Sequence, residues 1–128
     1  MGGVITPTTY RKAETQVELM QRFARIMRQR YGATLYLFGS RARGTAGPDS
    51  DYDIVAISES SRGQKRTARV LDRFYLWLEA GGWGESLDLH CYTPEEFRKQ
   101  TRYGDGFLGH AKKQGEITVI RVSRDTAP

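Results

Sequence analysis

The sequence predicts an α/β (α+β) domain built on a small sheet flanked by helices. Three observations carry that expectation. Apolar residues recur at helical spacing across 10–31, the short apolar run 34–38 stops at Gly39, and 86–92 alternates with a period of two. At 128 residues the chain is long enough to close one hydrophobic core without staples, so 1–128 reads as a single domain with tails at 1–9 and 123–128.

Each element follows from its local pattern. Tyr10, Ala13, Val17, Met20, Ala24, Met27 and Tyr31 are spaced in steps of three and four, as in an amphipathic helix of about six turns. Thr8 or Thr9 would cap its start, and Gly32 would end it in the left-handed region. Strands are expected at 34–38 and 53–57, joined by a Gly-, Pro- and Ser-rich connection. A polar loop at 58–63 leads to a second helix over 64–80, with Val70, Leu71, Phe74, Trp77 and Leu78 inward and Gly81-Gly82 closing it. In the strand at 86–92, Asp88, His90 and Tyr92 share one face while Leu87, Leu89 and Cys91 share the other. Thr93-Pro94-Glu95-Glu96 opens a helix, with a capping Thr, Pro at the first helical position and acids in the first turn. A short helix near 107–114, carrying His110, and a strand at 117–122 complete the chain.

Composition narrows the function classes. No apolar run approaches the roughly 20 residues a bilayer crossing needs, so no membrane-spanning role is expected. The single cysteine, Cys91, excludes an internal disulfide and a CxxC-type zinc site, and it reads as a small core hydrophobe. With no signal peptide in view, the expected compartment is the cytoplasm. The first six residues fit the permissive myristoylation pattern, but no basic cluster adjoins them as a second anchor. The net charge of +5 is local: 10–43 holds eight basic residues against Glu14 and Glu18. Arg22, Arg25, Arg28 and Arg30 fall outside the apolar stripe and are expected mostly exposed. Such a face suits an anionic partner, although charge runs most often serve solubility.

The informative segment is Gly39-Ser40-Arg41-Ala42-Arg43-Gly44-Thr45-Ala46-Gly47-Pro48-Asp49-Ser50-Asp51-Tyr52-Asp53-Ile54. A strand ends in a glycine that permits close backbone approach, and Ser40 starts a short helix whose freed N–H groups suit phosphate. Asp51 and Asp53 then place two carboxylates at i and i+2, which repel unless a cation lies between them. Hard oxygen ligands of this kind suit Mg²⁺ held jointly with substrate phosphates. Asp88 adds a third carboxylate if its strand neighbours the second one. Each feature alone is usually bland: a turn, a solvated loop, a solvent-facing strand residue. Their co-occurrence in order and on the expected elements points to two-metal nucleotidyl transfer.

Gly39-Ser40, then Asp51-x-Asp53, then a later hydrophobic-Asp-hydrophobic at Asp88 resembles the DNA polymerase β nucleotidyltransferase superfamily. The full run is similar to its small prokaryotic branch, the minimal nucleotidyltransferases, and the likeness covers about 10–122. The resemblance implies a polymerase-β-like palm, a small mixed sheet flanked by helices. It implies that Gly39 and Ser40 contact phosphate, that Asp51 and Asp53 bridge two Mg²⁺ ions, and that Asp88 binds one metal and helps activate the attacking hydroxyl. Arg41 and Arg43 fall where this branch often has basic residues that contact triphosphate or acceptor. The branch commonly acts as antitoxin to HEPN ribonuclease toxins, and some members move AMP from ATP to a toxin tyrosine.

The first expectation is therefore a Mg²⁺-dependent protein adenylyltransferase that uses ATP and forms a hetero-oligomer with a HEPN-type toxin. A non-catalytic antitoxin and a small-molecule, aminoglycoside-type nucleotidyltransferase are the alternatives. A nucleic-acid-binding module ranks last, because interleaved exposed aromatics and a binding motif are missing. His90 shares the face of Asp88 and is a further candidate for the site, about as often a plain strand histidine. Trp77 is expected in the core and Trp83 at a surface or interface.

Overall fold

In the computed structural model, the described residues are 12–102 and 117–120. The capping residues Thr8 and Thr9, the helix near 107–114 with His110, and the tails at 1–9 and 123–128 lie outside them. Four strands, β1 (Thr34–Phe38), β2 (Tyr52–Ile57), β3 (Leu87–Tyr92) and β4 (Ile117–Ile120), form one sheet in the order β3-β2-β1-β4. β1 pairs antiparallel with β2 and β4, and β2 pairs parallel with β3. The fold is thus a mixed sheet flanked by helices. The helices are α1 (Gln16–Tyr31), the single turn α2 (Ser40–Arg43), α3 (Arg66–Glu79) and α4 (Pro94–Arg102). Among the described residues no helix is long and apolar enough to cross a membrane.

The period of two in each strand divides the core. Leu35, Leu37, Tyr52, Ile54, Ala56, Leu89 and Cys91 face α1 and α3, where Phe23 meets Trp77 edge-on at 5.0 Å. Phe38, Val55 and Tyr92 face the other way, with Phe97 of α4 stacked on Tyr36 at 5.2 Å. The parallel β2–β3 pair requires a crossover, which α3 supplies. Thr93 and Glu96 cap α4 reciprocally, Thr93 Oγ1 accepting from the Glu96 amide and a Glu96 carboxylate oxygen accepting from the Thr93 amide.

Two helices differ from expectation. α1 begins at Gln16, not near Tyr10, because Thr15 is the cap: its hydroxyl accepts from the Glu18 amide. Its inward stripe is Leu19, Met20, Phe23, Ala24 and Met27, while Val17 is exposed. Gly32 ends the helix in the left-handed region at φ 62°, as the sequence predicts. The arginines of α1 do not form one solvated face. Arg28 and Arg30 are exposed, but Arg22 bonds the Ala80 carbonyl and Glu18, and Arg25 is half-buried.

The larger correction concerns α3. Leu71 and Phe74, expected inside, are 75% and 42% exposed, and Tyr75 beside them is exposed too. The helix instead turns Arg69, Arg73, Leu76 and Trp77 inward. That stripe also has helical spacing, and acceptors from distant segments make it the stable one. Arg69 donates to the carbonyls of Gln64 and Cys91 and to the Glu96 carboxylate at 2.7 Å. Arg73 donates to Ser60, Gln64 and the Arg69 carbonyl, and lies 4.1 Å over the Tyr31 ring. Buried guanidinium groups survive only where such partners take up most of their donors. Arg73 Nε is buried without one among the described residues, and its two Nη atoms carry the bonding. The Arg69 hydrogen bonds hold the Glu96 carboxyl down at about 2, against the opposing effect of its partial burial.

The rotation of α3 is testable in stability. Trp77→Ala empties a fully buried site and is expected to cost about 3–5 kcal/mol. Leu71→Ser on the outer stripe should change stability by no more than about 0.5 kcal/mol. Urea unfolding of both variants checks this; a large loss in Leu71→Ser would place that side chain inside.

Candidate functional site

Gly39 ends β1 in the positive-φ region, at φ 75°, and leads directly into α2. Its carbonyl accepts from the amides of Ala42 and Arg43, and that of Ser40 accepts from Gly44 and Thr45, closing a tight turn. Phe38 pairs with Asp53 across the β1–β2 ladder, so this turn lies beside the start of β2. A Cβ on Gly39 would stand 2.5 Å from the Asp53 Oδ2 atom. Glycine is therefore required twice, by its dihedral angle and by the carboxylate packed against it.

Asp53 and Asp88 are register partners on the neighbouring parallel strands β2 and β3. Side chains directly in register point to the same face. The expected adjacency of the second and third strands is thus present, and it brings these two carboxylates together. Asp51 lies one residue before β2 and is exposed, while Tyr52 between the pair turns to the other face and is buried. Asp53 carries the strain of the arrangement. Its pKa is raised first by burial, then by the charges of Asp88 and Asp51 and by a hydrogen bond with Asp88; the nearby His90 pulls it down. His90 joins the group directly, its Nε2 standing 3.3 Å from Asp88 Oδ2, with its ring near Phe38.

The donor set is hard oxygen, and its mutual repulsion is what a divalent cation relieves. In that chemical sense the three aspartates fit Mg²⁺. Among the described residues no group of three or more His, Cys, Asp or Glu side chains is placed so that it could hold a metal ion, so the fit is one of donor chemistry and not of a formed site.

The basic residues of α2 divide. Arg43 is exposed at the end of the turn. Arg41, which the resemblance assigns to triphosphate or acceptor, has its side chain turned inward. It donates to the carbonyls of Ser50 and Pro48 and to Gln16, and its guanidinium lies 4.1 Å over the Tyr52 ring. Glu85 stands 3.8 Å away. Gln16 and Glu85 join this site from positions far along the chain, and no local pattern marks them.

Residues 20–123, which contain all of these positions except Gln16, match the family described as the nucleotidyltransferase domain. The chain belongs to that family. A crystal structure from Sulfolobus solfataricus, of a protein ascribed nucleotidyltransferase activity, resembles this nucleotidyltransferase domain with a TM-score of 0.53. The likeness covers 77% of this chain and 85% of that one at 16% identity, and so speaks for the fold. No curated protein matches the chain.

The geometry of this nucleotidyltransferase domain predicts two stability effects. Gly39→Ala should cost about 1–3 kcal/mol through backbone strain and displacement of Asp53. Gly47→Ala, where a Cβ meets nothing within 4 Å, should be close to neutral. Comparing the two in urea tests whether Asp53 packs on the turn.

Asp53 makes a pH-dependent contribution. A carboxyl whose folded pKa is raised binds its proton more tightly in the fold, so stability falls as pH rises from its ordinary value of 3.8 through the raised one. Asp53→Asn should therefore raise the melting temperature in chelator at neutral pH, with the gain vanishing as pH falls towards 3.8. An equal gain at both pH values would show that ionisation of Asp53 carries no penalty.

Proposed function

We propose that this nucleotidyltransferase domain is a minimal nucleotidyltransferase that moves AMP from ATP to a tyrosine hydroxyl of a HEPN-type ribonuclease, acting as its antitoxin in the cytoplasm. One observation carries the catalytic part: Asp53 and Asp88 in register on parallel strands, beside the Gly39-Ser40 turn, with Asp51 two residues before Asp53. That grouping supports transfer at a phosphorus atom and opposes a purely occluding role. Without a charged ligand, the cluster only burdens the fold.

Asp51 and Asp53 would hold two Mg²⁺ ions and Asp88 one of them, and bound Mg²⁺ supplies neutralisation of the phosphate charge that builds in the transition state. The chain's own groups do the rest. The α2 turn at Gly39-Ser40 offers the triphosphate a close backbone approach, and exposed Arg43 adds positive charge at its end. Asp88, with its side chain 59% exposed, is accessible to an incoming hydroxyl and can accept a hydrogen bond from it. The hydroxyl oxygen bonds to the α-phosphorus, the bond to the β-phosphate oxygen breaks, and pyrophosphate leaves with that electron pair. The hydroxyl proton passes to the carboxylate cluster.

The exposed apolar residues Leu71, Phe74 and Tyr75 support a protein acceptor over a small molecule, since adjoining apolar groups on a surface commonly mark protein contacts. They say nothing by themselves of the partner's family, which rests on the likeness to minimal nucleotidyltransferases.

The deciding experiment incubates the protein with a HEPN-type partner, Mg²⁺ and ATP labelled at either the α- or the γ-phosphate. The expected result is partner labelling from α-labelled ATP only, abolished by Asp53→Asn and by mutation of the acceptor tyrosine to Phe. Tight binding without label favours the non-catalytic antitoxin. Label from the γ-phosphate overturns nucleotidyl transfer.

A further inference from the structure

We infer that Arg41 is a positioning residue that fixes Asp51, not a ligand of the nucleotide. The inference rests on the reading of Asp51 as a metal-holding carboxylate.

The Arg41 side chain is only 11% exposed, although it belongs to a surface turn. All three of its guanidinium nitrogens are engaged. Nε and Nη2 both donate to the Ser50 carbonyl, at 3.3 and 2.9 Å, and Nη2 also reaches the Pro48 carbonyl at 3.4 Å. Nη1 donates to Gln16 Oε1 at 3.4 Å. The Ser50 carbonyl belongs to the peptide that carries the Asp51 amide. On the other side of Asp51, the Tyr52 ring lies 4.1 Å beneath the same guanidinium. One side chain therefore grips the residues before and after this aspartate.

Among the described residues, Asp51 has no other comparable restraint on its N-terminal side. The 43–49 stretch is almost wholly exposed, and it is shaped by a small turn in which Gly47 and Ser50 bond each other. Asp53, by contrast, is set by two strand ladders. An exposed connection ending in a carboxylate needs an anchor if that carboxylate is to reach a fixed position relative to Asp53. The planar fork of arginine can hold adjacent carbonyls at once, which a lysine ammonium on a flexible stem cannot do in the same geometry. Gln16 from α1 and Glu85 from the turn before β3 brace the guanidinium from behind. The anchor thus ties the Asp51 connection to α1 and to the segment leading into the Asp88 strand.

The test is Mn²⁺ binding, followed by electron paramagnetic resonance, in wild type, Arg41→Lys, Arg41→Ala and Asp51→Asn. Partners that orient ligating groups typically change metal affinity about 10–100-fold. The expected result is an affinity loss of at least about tenfold in both Arg41 variants, with millimolar guanidinium restoring Arg41→Ala. Affinity for α,β-methylene-ATP at saturating Mn²⁺ should change less than about twofold in Arg41→Lys and Arg41→Ala, because the fork does not touch phosphate. Arg41→Lys keeps the charge and a similar length, so it guards against reading a folding defect as a positioning effect. Wild-type Mn²⁺ affinity in Arg41→Lys, or a nucleotide affinity lost in Arg41→Ala and restored in Arg41→Lys, overturns the inference and makes Arg41 a phosphate-binding charge. Mn²⁺ binding that survives Asp51→Asn unchanged overturns the metal reading of Asp51, and the positioning role with it, as a separate result.

Discussion

The parallel pairing of β2 with β3 in the register Asp53–Asp88 is the constraint on which the rest of this molecule depends. It forces two acids to the same level of the same face, and burial makes ionisation of Asp53 harder still. A fold accepts such a liability only if the surrounding sheet is held firmly. Here the buried faces of Ile54, Ala56, Leu89 and Cys91 lock the two strands against α3 and α1, opposite the carboxylates. Because side chains alternate along a strand, the same register that unites the acids seats these apolar residues on the core side. A slip of one residue would bury the acids and expose the apolar set, so hydrophobic burial enforces the arrangement of charge.

Much of this was legible because strands declare themselves locally. The run 34–38 and the alternation through 87–92 depend on composition alone, and the structure reproduces both. The facing of Asp88 and His90 away from Leu89 and Cys91 followed from the same alternation. The adjacency of Asp53 and Asp88 was a conditional expectation, since strand order is a property of the whole chain. Even so, the spacing of the glycine, serine and aspartates pointed to it, because that chemistry makes sense only when the strands are neighbours.

The helices were less legible, for a consistent reason. Thr15 and Glu18 carry a capping pattern as plain as the one at Thr93 and Glu96, yet the apolar spacing extending back to Tyr10 obscured it. In α3, hydrophobicity favoured Leu71 and Phe74 for the core, but tertiary acceptors reversed the choice. The Cys91 carbonyl and the Glu96 carboxylate are 22 and 27 residues from Arg69, beyond any helical window. At the site, Arg41 has partners that no local pattern marks: a neighbouring loop and a glutamine 25 residues away.

Cys91 has a practical side. Burial lifts its thiol to about 11, more than the two nearby arginines can offset, so at neutral pH it stays protonated and out of reach of solvent. The thiolate is the form that alkylating reagents consume, and this chain's lone sulfhydryl barely supplies it. The native protein is therefore a silent background for maleimide chemistry. A cysteine placed on the outer surface of α3 or beside the α2 turn would take a fluorophore or spin label at that position alone, with the wild-type sequence otherwise intact.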